Sequence, residues 1–241
     1  ATALLEMDPQ NAAVIFPYIN GEDLLSRPDQ SPSRYVINFA EMSQEQAQEY
    51  VDCFKIVKEK VYPERKNKDA RKYPRMVYEW WKFWNFRSEL YNSINSLSRV
   101  LLRTRVTKTH ALVFVEKNII FSDATVVLAF DDYSNFSVLQ SSLHEYWAWK
   151  YGSTLKSDLR YSPTDCFETF PFPKIITGLH GIGESYYEHR SELTKRNHEG
   201  LTITYNRFHN PKEKSTDFAR LRELHIEMDN LVASVYGWGD L

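Results

Sequence analysis

Glycine is scarce in this chain of 241 residues: there are eight, and only Gly21 precedes Gly152. A glycine-rich phosphate loop in the first half is therefore excluded. Cysteine is scarcer still. Cys53 and Cys166 lie far apart without CxxC spacing, which argues against a disulfide framework and suits a reducing cytoplasm. No uncharged apolar run approaches the roughly 18–20 residues of a membrane span, so no membrane partner is expected. The opening residues, Ala1-Thr-Ala-Leu-Leu, bring neither an initiator Met nor a basic stretch before an apolar one. They read as the edge of a piece cut from a longer chain, not as a signal peptide. A large net charge is also missing. Thirty Lys+Arg stand against thirty-two Asp+Glu, which excludes a histone-like polycation. With 42% hydrophobic and 15% aromatic residues the chain is no disordered tail, and its length suits one large domain or two smaller ones.

The near-neutral total hides a strong segregation. Residues 1–54 carry two basic and nine acidic residues, residues 55–108 fifteen and five, and residues 109–241 thirteen and eighteen. The basic middle is interleaved with aromatics, a combination that favours a nucleic-acid surface over a merely solvated helix face.

Periodicity sketches the organisation. A strand-like run begins at Val14 and turns at Asn20-Gly21; residues 34–39 alternate as a second strand. Ser43 with Gln46 forms a capping box, and helical spacing runs from there towards Val61, with Pro63 ending it. Residues 64–76 read as a polar, basic loop, and residues 80–86 as a dense aromatic patch. Leu90, Ile94, Leu97 and Leu101 recur at helical spacing. The period then changes: residues 100–106, 111–115, 119–121 and 125–130 are short β-rich runs. Residues 139–151 return to helix with Gly152 at its end, 155–172 read as extended, and two polar helices separated by Asn210-Pro211 follow Gly178. The expected fold class is α+β, a small mixed or antiparallel sheet with flanking helices. It spans residues 1–173, with 1–40 as linker and first strands, and residues 174–241 form a helical C-terminal element.

Catalytic signatures are few. There is no His-Glu-x-x-His, no Gly-x-Ser-x-Gly and no lysine-bearing P-loop. His144-Glu145 lacks a second His at the right spacing and suits a core or capping role; Asp131-Asp132 suit a turn. The scattered C-terminal histidines read as solvated helix surface. Gly178, Gly181 and Gly183 begin a helix better than they form a dinucleotide loop, and the Asn-Pro-Pro-aromatic tetrad of amino-methylating enzymes is absent. No catalytic residue, metal site or cofactor is expected within this fragment. A nuclease using Asp123, Asp131 and Asp132 remains a third reading, without a supporting lysine motif.

The stronger signal is for nucleic acid. Arg99, Arg103, Arg105 and Lys108 fall within ten residues that contain no acid. If the segment stays extended, Arg105, Thr107 and Thr109 share one face, and Val106 and Lys108 the other. Arginine can bridge guanine O6 and N7, while Lys and Thr suit phosphates or base edges. Arg65, Lys66, Lys68, Arg71, Lys72 and Arg75 add a loop able to follow a backbone or enter a groove. The aromatics at 80–86 could stack bases, but packing under the basic surface is the favoured reading.

Several strings taken in order carry a resemblance. They include Ile15-Phe-Pro-Tyr-Ile-Asn-Gly-Glu-Asp-Leu, Arg34-Tyr-Val-Ile-Asn-Phe, Arg105-Val-Thr-Lys-Thr and Val138-Leu-Gln-Ser-Ser-Leu-His-Glu-Tyr-Trp. The most specific is Leu159-Arg-Tyr-Ser-Pro-Thr-Asp-Cys-Phe-Glu-Thr-Phe-Pro-Phe-Pro, followed by Thr204-Tyr-Asn-Arg-Phe-His-Asn-Pro and Tyr236-Gly-Trp. Together they resemble the C-terminal target recognition domain of large adenine-specific DNA methyltransferases, including type IIG/IIL-like restriction–modification enzymes and related phage-defence proteins. The resemblance implies a module that clasps double-stranded DNA and reads its sequence. An upstream domain of the parent chain would bind S-adenosylmethionine and methylate adenine, and a nuclease domain can precede it. By position, Arg105, Thr107, Lys108 and Thr109 match the segment expected near DNA, and Arg160 and Tyr161 match the later string. The rival reading is a module that docks a methyltransferase or another defence subunit.

Overall fold

The computed structural model describes residues 1–239, so the last two residues of the expected helical element lie outside the described residues. In chain order the elements begin with α1 (Thr2–Met7), a 3-10 turn over Pro9–Ala13, β1 (Ile15–Ile19), α2 (Gly21–Ser26) and β2 (Arg34–Ile37). Five helices follow: α3 (Gln44–Gln48), α4 (Val51–Lys60), α5 (Tyr62–Arg65), α6 (Pro74–Tyr78) and α7 (Ser88–Ile94). Next come β3 (Arg99–Thr104), β4 (Val106–Thr107), β5 (Val113–Glu116), β6 (Ile120–Phe121) and β7 (Thr125–Leu128). The remainder is α8 (Tyr133–Gln140), α9 (Ser142–Tyr151), β8 (Ser153–Leu155), β9 (Asp158–Arg160), α10 (His180–Asn197), α11 (Leu201–Phe208) and α12 (Thr216–Val235).

Among the described residues the strands form three small sheets, ordered β2-β1-β6, β5-β3-β7 and β4-β9-β8. The pairs β1–β2, β3–β5, β3–β7, β4–β9 and β8–β9 are antiparallel. The α+β class expected from periodicity is therefore the fold.

Contacts divide the chain into two compact units. The first takes Ala1–Tyr18, Ser33–Asn95 and Asn118–Ile120; the second takes Ile19–Pro32, Ser96–Lys117 and the chain from Phe121 onward. In the first, Val14, Phe39, Ala47, Cys53, Phe54, Val57 and Trp80 form the core. Ser43 makes the expected capping box with Gln46, but the helix it starts is interrupted. Tyr50, at φ −89° and ψ 68°, separates α3 from α4. Pro63 does not end a helix. It lies in the first turn of α5, where its missing N–H costs nothing. The helix expected to continue through Leu97 to Leu101 stops at Ile94. Leu101 belongs instead to β3, paired with Phe114 and Leu128. As the central strand of its sheet, β3 is covered on both faces, and such strands read as unbroken apolar runs with no period of their own.

The second unit packs β3, β7, α8, α10 and α12 around one large cluster. On α12, Phe218, Leu221, Leu224, Met228 and Val232 form the apolar stripe that faces it. Gly183 lets α10 approach α8: a Cβ there would sit 2.3 Å from both Ser137 Oγ and Tyr133 O. The helices after residue 173 share this core with the sheet, so the contacts do not divide at 173. Among the described residues there are three such helices where two were expected, because His198 in the left-handed conformation (φ 53°) closes α10 before Gly200 starts α11. The stretch expected to be extended over 155–172 is a hairpin followed by a π turn at Pro163–Phe167.

Candidate nucleic-acid interface

In the second unit, Arg105 lies where one strand leaves one sheet and joins another. Its N–H donates to Ala124 O (2.8 Å), and its carbonyl accepts from Tyr161 N (2.8 Å). The chain thus passes from β3, paired with β7, to β4, paired with β9 in the register Val106↔Arg160 and Thr107↔Leu159. The crossing opens a cleft of about 370 Å³ lined by Thr104, Arg105, Val106, Asp123, Ala124, Leu155 and Arg160. Two of the expected DNA-binding arginines are brought together here. Arg160 is exposed and Arg105 half-buried, and among the described residues the Arg105 Nε atom is buried with no hydrogen-bond partner.

Lys108 is exposed just beyond β4. Thr107 is buried and accepts a hydrogen bond from Thr109 N (3.0 Å), so its hydroxyl closes a local turn rather than facing outward. The expected alternation therefore ends at Thr107, and Thr109 is half-buried in the turn.

Arg103 and Tyr161 depart furthest from expectation. Their relative exposures are 1% and 0%, which places both in the core and out of direct reach of a duplex. The Arg103 guanidinium lies 3.9 Å over the Tyr161 ring, and its Nη1 donates to His110 Nδ1 (3.1 Å). His110 Nε2 in turn donates to Leu139 O (2.8 Å), and the Tyr161 hydroxyl bonds His144 Nε2 (2.9 Å). Burial, reinforced by the Arg103 charge, holds His110 well below the usual imidazole range and His144 at about 3, so both rings are neutral. Burial likewise pushes the Tyr161 phenol up. Arg99 is half-buried: it stacks over Phe114 (3.7 Å) and Tyr133 (4.6 Å) and donates to Asp131 O (3.0 Å).

The other basic stretch belongs to the first unit and is largely satisfied there. Arg65 donates to the carbonyls of Trp80 and Lys82, and burial lowers its pKa. Lys68 pairs with Glu64 (3.0 Å), and Arg75 pairs with Glu41 (2.5 Å) and Glu79 (3.4 Å). Lys66, Arg71 and Lys72 are exposed; Lys66 lies over Tyr62 (5.8 Å) and Lys72 over Tyr73 (5.3 Å). The aromatic patch divides. Trp80 packs in the core against Phe54 (5.4 Å), whereas Trp84 is 46% exposed with its edge against Tyr73.

Sequence reasoning missed the β8–β9 hairpin. Residues 153–157 are all exposed, Leu155 at 54%, and the loop is the two residues Lys156-Ser157. Lys156 adopts φ 58°, so this tight turn carries a cation at its tip. The missed signal is modest: alternation resumes at Ser153 after Gly152, with a polar pair before Asp158-Leu-Arg.

Of the candidate nuclease acids, Asp123 is exposed and lines the cleft, whereas the other two are engaged elsewhere. Asp131 accepts from Ser98 N and Oγ, and Asp132 caps α8 through Ser134 N and Asn135 N. Among the described residues no group of three or more His, Cys, Asp or Glu is placed to hold a metal. His144 is the core residue its context suggested. Among the described residues no helix is long and apolar enough to cross a membrane.

An α+β domain with a mixed-charge cleft where two sheets meet, and a cation-tipped hairpin beside it, has the general form of a macromolecular recognition domain. The chain belongs to a specific family of them: the family described as "MmeI, target recognition domain" matches residues 1–174. Among solved structures it is similar to the type IIL restriction–modification enzyme MmeI in complex with DNA, at TM-score 0.69 and 20% identity. That match covers 98% of this chain and 30% of the MmeI chain. No curated protein matches.

Proposed function

We propose that this chain is the DNA sequence-recognition module of a type IIL-like restriction–modification enzyme and that the cleft of the second unit reads base edges. The observation that carries the proposal is membership of the MmeI target recognition domain family over residues 1–174. The cleft supports it. Arg105 and Arg160 share it with exposed Asp123, and a site built only to hold phosphates would be uniformly cationic. Arginine suits guanine O6 and N7, whereas a carboxylate can accept from cytosine N4. Lys156 and Lys108 then supply backbone contacts nearby, and Lys66, Arg71 and Lys72 supply phosphate contacts from the first unit.

The parent would be a cytoplasmic, adenine-specific DNA methyltransferase of phage defence, with S-adenosylmethionine held by its other domain. The described residues here do not suit that cofactor. Gly178, Gly181 and Gly183 lie at the start of α10 with no strand before them, and Gly183 is closed off by Ser137 and Tyr133. The fragment is thus proposed to be non-catalytic in isolation.

Fluorescence anisotropy with duplex DNA at about 50 and 200 mM salt tests the proposal, because neutralised phosphates release counterions. Affinity should fall steeply with salt, and Arg105→Ala with Lys108→Ala should weaken it. Unchanged affinity in that double variant would remove the β3–β4 crossing from the interface.

A further inference from the structure

Arg103 and Arg190 are both fully buried, but they are satisfied very differently. Arg190 donates to Gln140 Oε1 (3.0 Å), Tyr205 OH (2.9 Å) and Leu112 O (2.5 Å). Arg103 has one good hydrogen bond, to His110 Nδ1, and a long one of 3.5 Å to Thr104 O. Among the described residues its Nη2 has no hydrogen-bond partner, and no carboxylate forms an ion pair with it. Burying a cation so poorly compensated is unfavourable relative to a packed apolar side chain. Core stability alone gives no reason for an arginine at this position.

The location gives one. Arg103 is two residues before Arg105, and Tyr161 directly follows Arg160. The stack of Arg103 on Tyr161 and the bond from Tyr161 N to Arg105 O close a short link between the end of β3 and the end of β9. The two cleft arginines flank that link, Arg105 just past β3 and Arg160 at the end of β9. The plane of the guanidinium is itself held from α8, because His110 spans from Arg103 to Leu139 O. Its flat cationic face can lie on the ring in a way a flexible ammonium cannot.

We propose that Arg103 is a positioning residue for sequence recognition: stacked on Tyr161 beneath the cleft, it fixes the spacing of Arg105 and Arg160. The proposal rests on the DNA-reading function above. Base-edge hydrogen bonds depend on that spacing, whereas non-specific phosphate contacts tolerate its loss.

The test begins with selection of a preferred sequence from randomised duplexes by the full chain. Affinity is then measured for the selected duplex and for a scrambled one. Arg103→Met and Arg103→Lys should each lower the selected-to-scrambled ratio by about tenfold, the size of effect expected when one base pair is no longer read. Scrambled-duplex affinity should hold within about twofold. Arg103→Lys keeps the charge, so a normal ratio in that folded variant overturns the proposal, and it decides the matter alone if Arg103→Met does not fold. Tyr161→Phe keeps the ring and should keep the ratio; a drop there would transfer the role to the hydroxyl bond with His144 and also overturn it. Arg190→Met is the control for general loosening of the core and should lower Tm without lowering the ratio. An equal loss of ratio in that variant counts against Arg103. If the wild-type chain enriches no sequence, the DNA-reading function itself fails, visibly and before any variant is compared.

Discussion

The two basic stretches of this chain look alike in composition and behave differently in the fold. In residues 65–75, Arg65, Lys68 and Arg75 are taken up by carbonyls and carboxylates of their own unit, leaving Lys66, Arg71 and Lys72 outward. In residues 99–108, Arg99 and Arg103 are drawn onto aromatic rings, while Arg105 lines a cleft beside Arg160. A count of charges therefore measures neither the potential at a surface nor its capacity to discriminate. The first stretch offers cations on helical turns and a loop, suited to phosphates at many registers. The second offers guanidinium groups at a strand crossing, where the backbone fixes their separation.

The largest expected effect concerns the buried side of that contrast. His144 is held at about 3 and His110 well below its ordinary value, whereas both would titrate near 6.5 in the unfolded chain. The unfolded state therefore binds protons first as pH falls below 6.5. Stability should fall through that window by up to about 1.4 kcal/mol per pH unit for each ring. Urea midpoints at pH 7 and pH 5 measure this, and His144→Phe should flatten the difference. An equal drop in the variant would show that His144 does not carry it.

Next in size is a crossed pair of arginine variants. Arg65→Ala removes charged hydrogen bonds to two backbone carbonyls and should cost about 1.5–3 kcal/mol of stability, with duplex affinity little changed in the folded protein. Arg105→Ala with Arg160→Ala should do the opposite: a near-normal midpoint, and a loss of at least about tenfold for a preferred duplex. If both variants shifted the same observable, the division between structural and DNA-facing cations would fail.

Much of the fold could be read beforehand, for identifiable reasons. The Ser43 capping box and the β-rich runs after residue 99 are local signals, and the structure contains both. The break at Tyr50 and the early end of α7 are tertiary effects that spacing alone does not record. The candidate interface is legible only in part. Arg105 stands out as a cation in a β segment and Arg160 only through the family resemblance, and the two line one cleft. Arg103 stands out equally and is buried, although its context held a warning. In Val100-Leu-Leu-Arg-Thr-Arg-Val, an arginine inside a strand covered on both faces has no solvent side to occupy. The hairpin at 153–160 was missed because its turn uses Lys156 at positive φ, without the glycine or asparagine that normally marks such a loop.

The smallest expected effect sharpens the contrast most. Replacing Lys66, Arg71 and Lys72 together by alanine removes the outward cations of the first stretch and leaves its internal ion pairs in place. If these side chains meet phosphates, affinity should weaken several-fold and by a similar factor for every duplex. The slope of log affinity against log salt should fall by up to about 0.9 for each phosphate no longer neutralised. A cleft variant should instead change which duplex is preferred. Unequal weakening, with a changed preference, would give the first stretch a reading role as well. An unchanged salt slope would leave its charge as solvated surface, with recognition confined to the second unit.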